Sequence, residues 1–192
     1  MKEQLLNELK TTIIGQNVIY FDNIKSTQLE AKKIKNIVED GTIIFTNNQT
    51  AGIGTHDRIW YMKENENIAF TIILKPKCNI RKISNITTII AECMLETIED
   101  LYNEKLYIKE PNDLMINGKK VGGILTQATT EAENVKDILI GIGLNVNQKI
   151  FPEPIIDIAT SLKNEFNHEF NRIQIIANFL KKFEDRYIEM IN

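Results

Sequence analysis

The sequence feature that most constrains the fold is a series of four short β-prone runs between residues 105 and 144. The second and third runs are separated by Asn117-Gly118, a dipeptide that strongly favours a two-residue hairpin. Runs joined by hairpins pair with each other in antiparallel fashion. This half of the chain therefore predicts antiparallel sheet, in strands at 105–109, 113–116, 119–127 and 135–144.

Helical periodicity frames these strands. Apolar residues recur at helical spacing over 83–102 and again from Arg172 to the C-terminus, so both segments are predicted helices. Shorter helices are predicted at 2–9 and at 26–37, where Ser26 is a suitable N-cap. Further strands are predicted at 18–21, 41–46 and 68–74. The pattern indicates an α+β fold with a mixed, mostly antiparallel sheet and helices packed on one face.

Composition excludes several classes of protein. The chain has 192 residues and a net charge of -3, so we expect one domain over residues 1–192 and no global basic field for nucleic acid. No window is long and apolar enough for a signal peptide or a membrane span. Cys78 and Cys93 form no CxxC pair, and Cys93 falls on the apolar side of a predicted helix. We expect a cytoplasmic protein without a disulfide or a zinc site.

Residues 47–67 are polar, aperiodic and unusually long for a connection inside a small domain. Gly52 and Gly54 allow backbone N–H groups to approach a ligand closely. Arg58 could add positive charge, and Trp60 a flat apolar wall. On these residues alone, a flexible surface loop is an equally good interpretation.

Lys109-Glu110-Pro111-Asn112-Asp113 lies between two predicted strands. In one interpretation it is a tight turn with a solvated lysine. In the other, Lys109 ends a buried strand as the counter-charge of an anion, and Asp113 is positioned for a metal or an incoming amine.

Glycines also mark the two strands that follow. Gly122 and Gly123 begin one of them, just after Lys120, and Gly141 and Gly143 end the next. Glycine within a strand often marks a place where a ligand passes over the backbone. Together the segments suggest a pocket that has a sheet as its floor and is lined with backbone donors.

The order and spacing of these segments resemble the catalytic domain of biotin–protein ligases. Members of that family carry a GRGRxGRxW loop, a KWPND segment, a K-[VIL]-[AG]-G-I-L strand and a G-[IL]-G-[IL]-N-V-N strand. The matching text here is GIGTHDRIW at 52–60, KEPND at 109–113, KVGGIL at 120–125 and GIGLNVN at 141–147. Ser26-Thr27-Gln28, Gln49, Asn67-Ile68 leading to Pro76, and the ATSL stretch at 159–162 add to the resemblance, which covers roughly residues 18–190.

The resemblance implies a class II synthetase-like fold and a two-step reaction. The biotin carboxylate attacks the α-phosphate of ATP, and a lysine of a biotin carboxyl carrier protein, of acetyl-CoA carboxylase or a similar enzyme, then takes the biotinyl group. Two anions about 4 Å apart repel each other by about 4 kcal/mol at an effective dielectric near 20. The implied catalytic residues are Lys109 between the anions, Lys120 on the phosphates, and Asp113 as a Mg²⁺ ligand or lysine-orienting group.

The resemblance also implies two sets of binding residues. Biotin contacts fall on Ser26, Thr27, Gln28, Gln49, Gly52, Lys109, Gly123 and Gly143. ATP or adenylate contacts fall on Gly54, Thr55, Arg58, Trp60, Asn112, Lys120 and Asn145. The 49–60 loop is expected to close over the adenylate and exclude water.

This chain departs from the family pattern at several positions. Ile53 and Thr55 stand where the loop usually has arginines, and His56-Asp57 replaces an Arg-Gly pair. Glu110 replaces a tryptophan and Gln127 a glutamate. These changes predict weaker nucleotide affinity and looser retention of the adenylate.

Three functions remain open at this point: a biotin–[acetyl-CoA carboxylase] ligase, a lipoate or octanoate protein ligase, and a non-catalytic biotin or adenylate binder. The Ser26, Thr27 and Gln49 set favours biotin. We expect neither the N-terminal DNA-binding domain nor the C-terminal β-barrel of some family members, and no nucleic acid or membrane as partner. Pairing into a homodimer is left open.

Overall fold

A seven-stranded mixed sheet forms the centre of the computed structural model, which describes residues 1–192 except for the side chain of Asp57. Its strands are β1 (Val18–Ile24), β2 (Thr42–Gln49), β5 (Ile68–Leu74), β6 (Tyr107–Lys109), β7 (Asp113–Ile116), β8 (Lys119–Glu131) and β9 (Asn134–Leu144). The spatial order is β1-β2-β5-β9-β8-β7-β6. Only β1 and β2 pair in parallel; the remaining neighbours are antiparallel. This confirms the predicted α+β class.

Two further strands, β3 (Gly52–Ile53) and β4 (Ile59–Trp60), form a small separate hairpin. The helices are α1 (Lys2–Glu8), α2 (Thr27–Ile34), α3 (Ile86–Tyr102), α4 (Leu162–Phe166) and α5 (Arg172–Ile191). Short 3₁₀ turns lie at Thr55–Asp57, Ile80–Ile83 and Glu153–Ile155. Among the described helices, none combines the length and the apolar character needed to cross a membrane.

The two faces of the sheet are covered unequally. Alternate residues of β5, such as Phe70 and Ile72, are fully buried in the same core as residues of α1, α3 and α5. Ile73 points to the opposite face, where it packs with Ala31 of α2. The prediction of helices on one face therefore holds for α1, α3 and α5, while α2 covers part of the other face. What α2 leaves uncovered becomes the candidate site.

Several predicted boundaries were wrong. β1 continues to Ile24 instead of turning after Phe21, because its parallel pairing with β2 extends to Gln49. The segment predicted as an aperiodic loop contains the end of β2 and the β3–β4 hairpin. α4 was not predicted; it begins after Ser161, whose hydroxyl accepts from Asn164 N at 3.1 Å. The Asn117-Gly118 turn is confirmed, with φ values of 48° and 80°.

Candidate active site

The depression on the uncovered face has a floor of glycine backbone. In the β8–β9 register Gly123 lies opposite Gly143, and Leu125 lies opposite Gly141. The space free of protein atoms is about 450 Å³, part of it open to solvent. Ile142 and Ile124 also line it. The glycine-bearing strand ends therefore do form one floor, as their sequence suggested.

One wall is the first turn of α2. Ser26 caps this helix by accepting from Leu29 N at 3.5 Å, and Ser26, Thr27 and Gln28 all line the depression. Side chains at the start of a helix combine with its positive dipole end, so this wall suits a polar or anionic ligand group.

Gln49, at the end of β2, is held in one orientation by Thr27. Its Oε1 accepts from Thr27 N at 2.8 Å and from Thr27 Oγ1 at 3.2 Å. A backbone N–H can only donate, so the amide oxygen must face Thr27 and the NH₂ group must face away. Within the described part of the chain, that NH₂ group makes no hydrogen bond. Gln49 therefore offers two unused donors at the edge of the depression.

The β3–β4 hairpin forms a flap over the floor, with Ile53, Gly54, Thr55 and Trp60 lining the depression. A Cβ added at Gly143 would lie 2.5 Å from the Trp60 ring, so the indole rests directly on this glycine. The Trp60 indole N–H is buried and has no acceptor among the described residues. The flap thus places the Trp60 ring over the floor at Gly143, with its indole N–H unsatisfied among the described residues.

Two predicted flap contacts lie elsewhere. Gly52 is buried beside Gln49: a Cβ there would meet Gln49 Nε2 at 2.8 Å and Trp60 O at 2.5 Å. Arg58 is exposed, with Nη2 3.4 Å from His56 Nδ1, and does not line the depression. The replacement of the family's Arg-Gly pair by His56-Asp57 includes the side chain of Asp57, which lies outside the described part of the structure.

Lys120 and Asp113 form an ion pair at the rim. Lys120 Nζ lies 2.5 Å from Asp113 Oδ1, and both side chains are partly exposed. The Lys120 side chain also passes over Gly123, where an added Cβ would lie 3.2 Å from Nζ. Asn112 lines the same end, fixed by its Nδ2 donating to Ile124 O at 2.9 Å. This end of the site therefore holds an ion pair.

Lys109 lies apart from these groups. It belongs to β6, the outermost strand, and it is exposed and outside the lining of the depression. The expectation that it ends a buried strand was wrong, because Tyr107 and Lys109 both face solvent. In the β6–β7 register Lys109 lies directly opposite Asp113. Lys109 and Lys120 are therefore both neighbours of Asp113, but Lys120 lines the depression and Lys109 does not.

Asn145 is also set back from the site. It is 4% exposed, and its Nδ2 donates to Thr160 O at 3.0 Å. Its Oδ1 is buried and has no partner among the described residues. Asn145 is thus held by the segment in which Ala159 forms a β-bridge with Lys120.

Sequence reasoning missed the buried layer beneath the floor. Thr71 of β5 lies 2.9 Å from Thr27 Oγ1 and 3.2 Å from Gln28 Oε1. Gln28 Nε2 donates to Gln127 Oε1 at 3.1 Å. The available signal was Thr71 itself, since it is the single polar residue in the run IAFTIIL.

Other nucleophiles and metal clusters do not compete with this site. Burial raises the pKa of the Cys93 thiol to about 12 and also raises the pKa of Cys78. In the part of the chain that the structure describes, no three or more His, Cys, Asp or Glu side chains are grouped to hold a metal ion. Asp113 stands as a single carboxylate beside Lys120.

Comparisons with known proteins identify relatives of this chain. The chain is 38% identical over 182 residues to the bifunctional ligase/repressor BirA of Bacillus subtilis, which covers 93% of this chain and 56% of that protein. It is 29% identical over 123 residues to the biotin–[acetyl-CoA-carboxylase] ligase of Paracoccus denitrificans, covering 63% of this chain and 51% of that protein. The chain thus spans about half the length of these curated relatives.

Solved structures show the same fold. The biotin protein ligase of Aquifex aeolicus in complex with biotin and ATP superposes with a TM-score of 0.77 at 26% identity, covering 91% of this chain and 71% of that one. A model described as the Biotin/lipoate A/B protein ligase family matches residues 18–145, a span that contains the glycine floor, the flap and Lys120. The family expected from the motifs is confirmed, and the chain belongs to the biotin/lipoate A/B protein ligases.

Proposed function

We propose that this chain is the catalytic domain of an ATP-dependent biotin–protein ligase of the biotin–[acetyl-CoA carboxylase] type. The biotin carboxylate oxygen attacks the α-phosphorus of ATP, and pyrophosphate leaves. The amine of a lysine on a biotin carboxyl carrier protein then attacks the acyl carbon of biotinyl-AMP, and AMP leaves. The observation that carries the proposal is the fixed Gln49–Thr27 pair beside the glycine floor.

This pair matches a cyclic urea. Gln49 presents an NH₂ group, and Thr27, whose hydroxyl lies within reach of Gln49 Oε1, keeps a lone pair for the ligand. A group with N–H beside C=O satisfies both. An aliphatic chain or a dithiolane would leave them unpaired, and sites built on hydrogen bonds reject such analogues by about 10⁴-fold. We therefore favour biotin over lipoate or octanoate.

The opposite end of the depression suits the nucleotide. Lys120, Asn112, Gly54 and Thr55 line it, and we assign them to the phosphates and the adenylate. Lys109 is our choice for the charge that bridges the carboxylate and the α-phosphate. Its place opposite Asp113 supports this, because rotation of its flexible side chain carries the ammonium toward the rim.

The donor set is compatible with Mg²⁺, which proteins often hold through one or two carboxylates together with substrate phosphates. Asp113 would be the protein ligand, provided that Lys120 moves to the phosphates. The ion would neutralise phosphate charge when bound. Gln28, whose amide bonds to Gln127 and Thr71, contributes to the biotin end by holding its neighbours. We extend the same proposal to residues 1–192 as one catalytic domain acting in the cytoplasm, and to pairing of two copies through an outer strand.

Biotin-dependent exchange of labelled pyrophosphate into ATP tests the first step, and transfer to a purified carrier domain tests the second. Exchange with biotin, and none with lipoate or octanoate, is the expected result. Exchange only with the aliphatic acids would assign the other ligase class. Tight biotin binding without any exchange would make the chain a binding protein.

A further inference from the structure

A buried hydroxyl lies directly beneath the biotin end of the site. Thr71 is 0% exposed at the middle of β5, a strand whose other members are all apolar. Its Oγ1 lies 2.9 Å from Thr27 Oγ1 and 3.2 Å from Gln28 Oε1. Thr71 does not line the depression, but both of its partners do.

We propose that Thr71 is a positioning residue for ligand recognition: its hydroxyl fixes the side chains of Thr27 and Gln28 and leaves Thr27 as an acceptor facing the ligand. This inference rests on the proposed function, in which that end of the site takes the ureido ring. It adds a residue outside the sequence motifs.

The hydroxyl protons of Thr71 and Thr27 can be arranged in two ways. A hydroxyl has one proton and two lone pairs. In one arrangement Thr71 donates to Gln28 Oε1 and accepts the proton of Thr27. In the other Thr71 donates to Thr27, whose proton goes to Gln49 Oε1, 3.2 Å away. The first arrangement is favoured, because the second leaves Gln28 Oε1 without its donor. In both arrangements the Thr27 proton is engaged by the protein, so only a lone pair remains for the ligand. Thr27 thereby selects a ligand N–H.

Gln28 shows why the hydroxyl is needed. Its Nε2 lies on the side of Gln127 Oε1 and the Leu139 carbonyl, so its Oε1 faces Thr71. Gln28 is 3% exposed, and Thr71 is the donor that the structure records for this oxygen. A buried amide oxygen without a donor is costly. Without the Thr71 hydroxyl, Gln28 would turn toward the depression.

The backbone across from Thr71 is shaped for the same contact. Gly141 is its β9 partner, and a Cβ there would lie 2.6 Å from Gln28 Oε1. Absence of a side chain at Gly141 is therefore what allows Gln28 to reach Thr71. Gly141, Gln28 and Thr71 form one packed unit under the biotin end.

The test compares Thr71→Val, which replaces the hydroxyl by a methyl group, with Thr71→Ser, which keeps it. Thr97→Val is the matched control, since Thr97 is also 0% exposed and its hydroxyl donates to Cys93 O at 2.7 Å in a helix on the other face of the sheet. Each variant is titrated with biotin by calorimetry, and its KM for biotin, KM for ATP and kcat are measured in the exchange assay. Thermal unfolding reports folding.

We expect Thr71→Val to raise the biotin Kd and KM by about tenfold, with kcat and the ATP KM unchanged. Thr71→Ser should keep the wild-type Kd for biotin. Thr97→Val should also keep it, even if the melting temperature falls. An unaltered biotin Kd in a folded Thr71→Val protein would overturn the inference. An equal loss of biotin binding in Thr71→Ser and Thr71→Val would also overturn it. If Thr71→Val does not fold, Thr71→Ala is judged by the same comparison.

Failure of the proposed function would look different. A wild-type chain that binds biotin but catalyses no exchange loses the ligase assignment, while the calorimetric comparison still decides the role of Thr71. A wild-type chain that does not bind biotin overturns both.

Discussion

The ammonium group of Lys120 lies 2.5 Å from the carboxylate of Asp113 at the rim of the site. In the proposed function, the positive charge that the nucleotide phosphates require is therefore already partly neutralised by a neighbouring residue. Both side chains are partly exposed, so the pair can exchange for a phosphate and a cation at modest cost. The proposal thus couples phosphate binding to release of this ion pair.

This coupling predicts a nucleotide-specific defect. Lys120→Ala should raise the KM for ATP by about tenfold or more, because a charge-assisted contact to phosphate is lost. The biotin Kd should stay near the wild-type value, since Gln49 and Thr27 lie at the other end. Lys119→Ala, an exposed neighbour outside the depression, is the control. Equal effects of the two variants on ATP would contradict the assignment.

Lys109 carries a sharper prediction. It is exposed on an outer strand, so Lys109→Ala should fold with an unchanged melting temperature. If Lys109 bridges the two reacting anions, formation of biotinyl-AMP should fall by about 10²- to 10³-fold or more. Lys105→Ala, which removes another exposed lysine near the same strand, should have no such effect. Normal adenylate formation by Lys109→Ala, measured by pyrophosphate exchange, would refute the role.

The flap predicts a change in adenylate retention. Thr55 lines the depression where the family pattern has an arginine. Thr55→Arg would return a cation to the flap and should slow dissociation of biotinyl-AMP by about tenfold. The rate is followed by chasing labelled intermediate with unlabelled biotin and ATP. Ile59→Arg, at an exposed position of the flap, is the control for added charge. An unchanged rate of biotinyl-AMP dissociation in Thr55→Arg would make this account of the loop wrong.

Trp60 provides an internal reporter. It is the single tryptophan of the chain, and its ring rests on Gly143 while its indole N–H has no acceptor among the described residues. A ligand that uses the floor at Gly143 must move this ring or stack against it. Saturating biotin should therefore shift Trp60 emission and change its quenching by acrylamide. Identical spectra before and after saturation, with binding verified by calorimetry, would exclude contact between biotin and this part of the floor.

The sequence could predict the strands of the site but not their alignment. The Asn117-Gly118 turn identified β7 and β8 as hairpin partners, and the glycines of β8 and β9 suggested the floor of a pocket. That Gly123 faces Gly143 depends on the register of β8 against β9, which a bulge between Thr129 and Thr130 shifts. No local pattern predicts a bulge of this kind.

Sequence reasoning misjudged the exposure of Lys109 and overlooked Thr71, because both depend on contacts between segments that are distant in the chain. Lys109 is exposed because β6 is the last strand of the sheet, and strand order is a property of the whole chain. Thr71 was overlooked because its importance comes from α2 crossing over β5. The motifs identify residues that line the depression. The buried residues that hold those side chains in place depend on tertiary packing, which no motif shows.

The carboxylate of Glu184 on α5 binds the backbone of the N-terminal segment at residues 12–14. Glu184 of α5 is 2% exposed and accepts from Thr12 N at 2.7 Å, Ile13 N at 2.8 Å and Ile14 N at 2.7 Å. Burial acts to raise the pKa of Glu184, but these backbone donors prevail and lower it below its ordinary value of 4.5. A carboxyl group with a lowered folded-state pKa stabilises the fold above pH 4.5, and that stabilisation is lost as the pH falls through the folded value.

Glu184→Gln keeps the size of the side chain and removes the charge, so it should lower the free energy of unfolding at pH 7 by about 1–3 kcal/mol. The difference between wild type and variant should shrink as the pH drops below 4.5, because the wild-type carboxylate then becomes protonated as well. Urea unfolding at a series of pH values measures this directly. Glu189→Gln on the same helix is the control, since Glu189 is exposed, and it should follow the wild-type profile. A Glu184→Gln difference that stays constant from neutral to acid pH would show that the N-terminal segment is held by packing and not by the charge of Glu184.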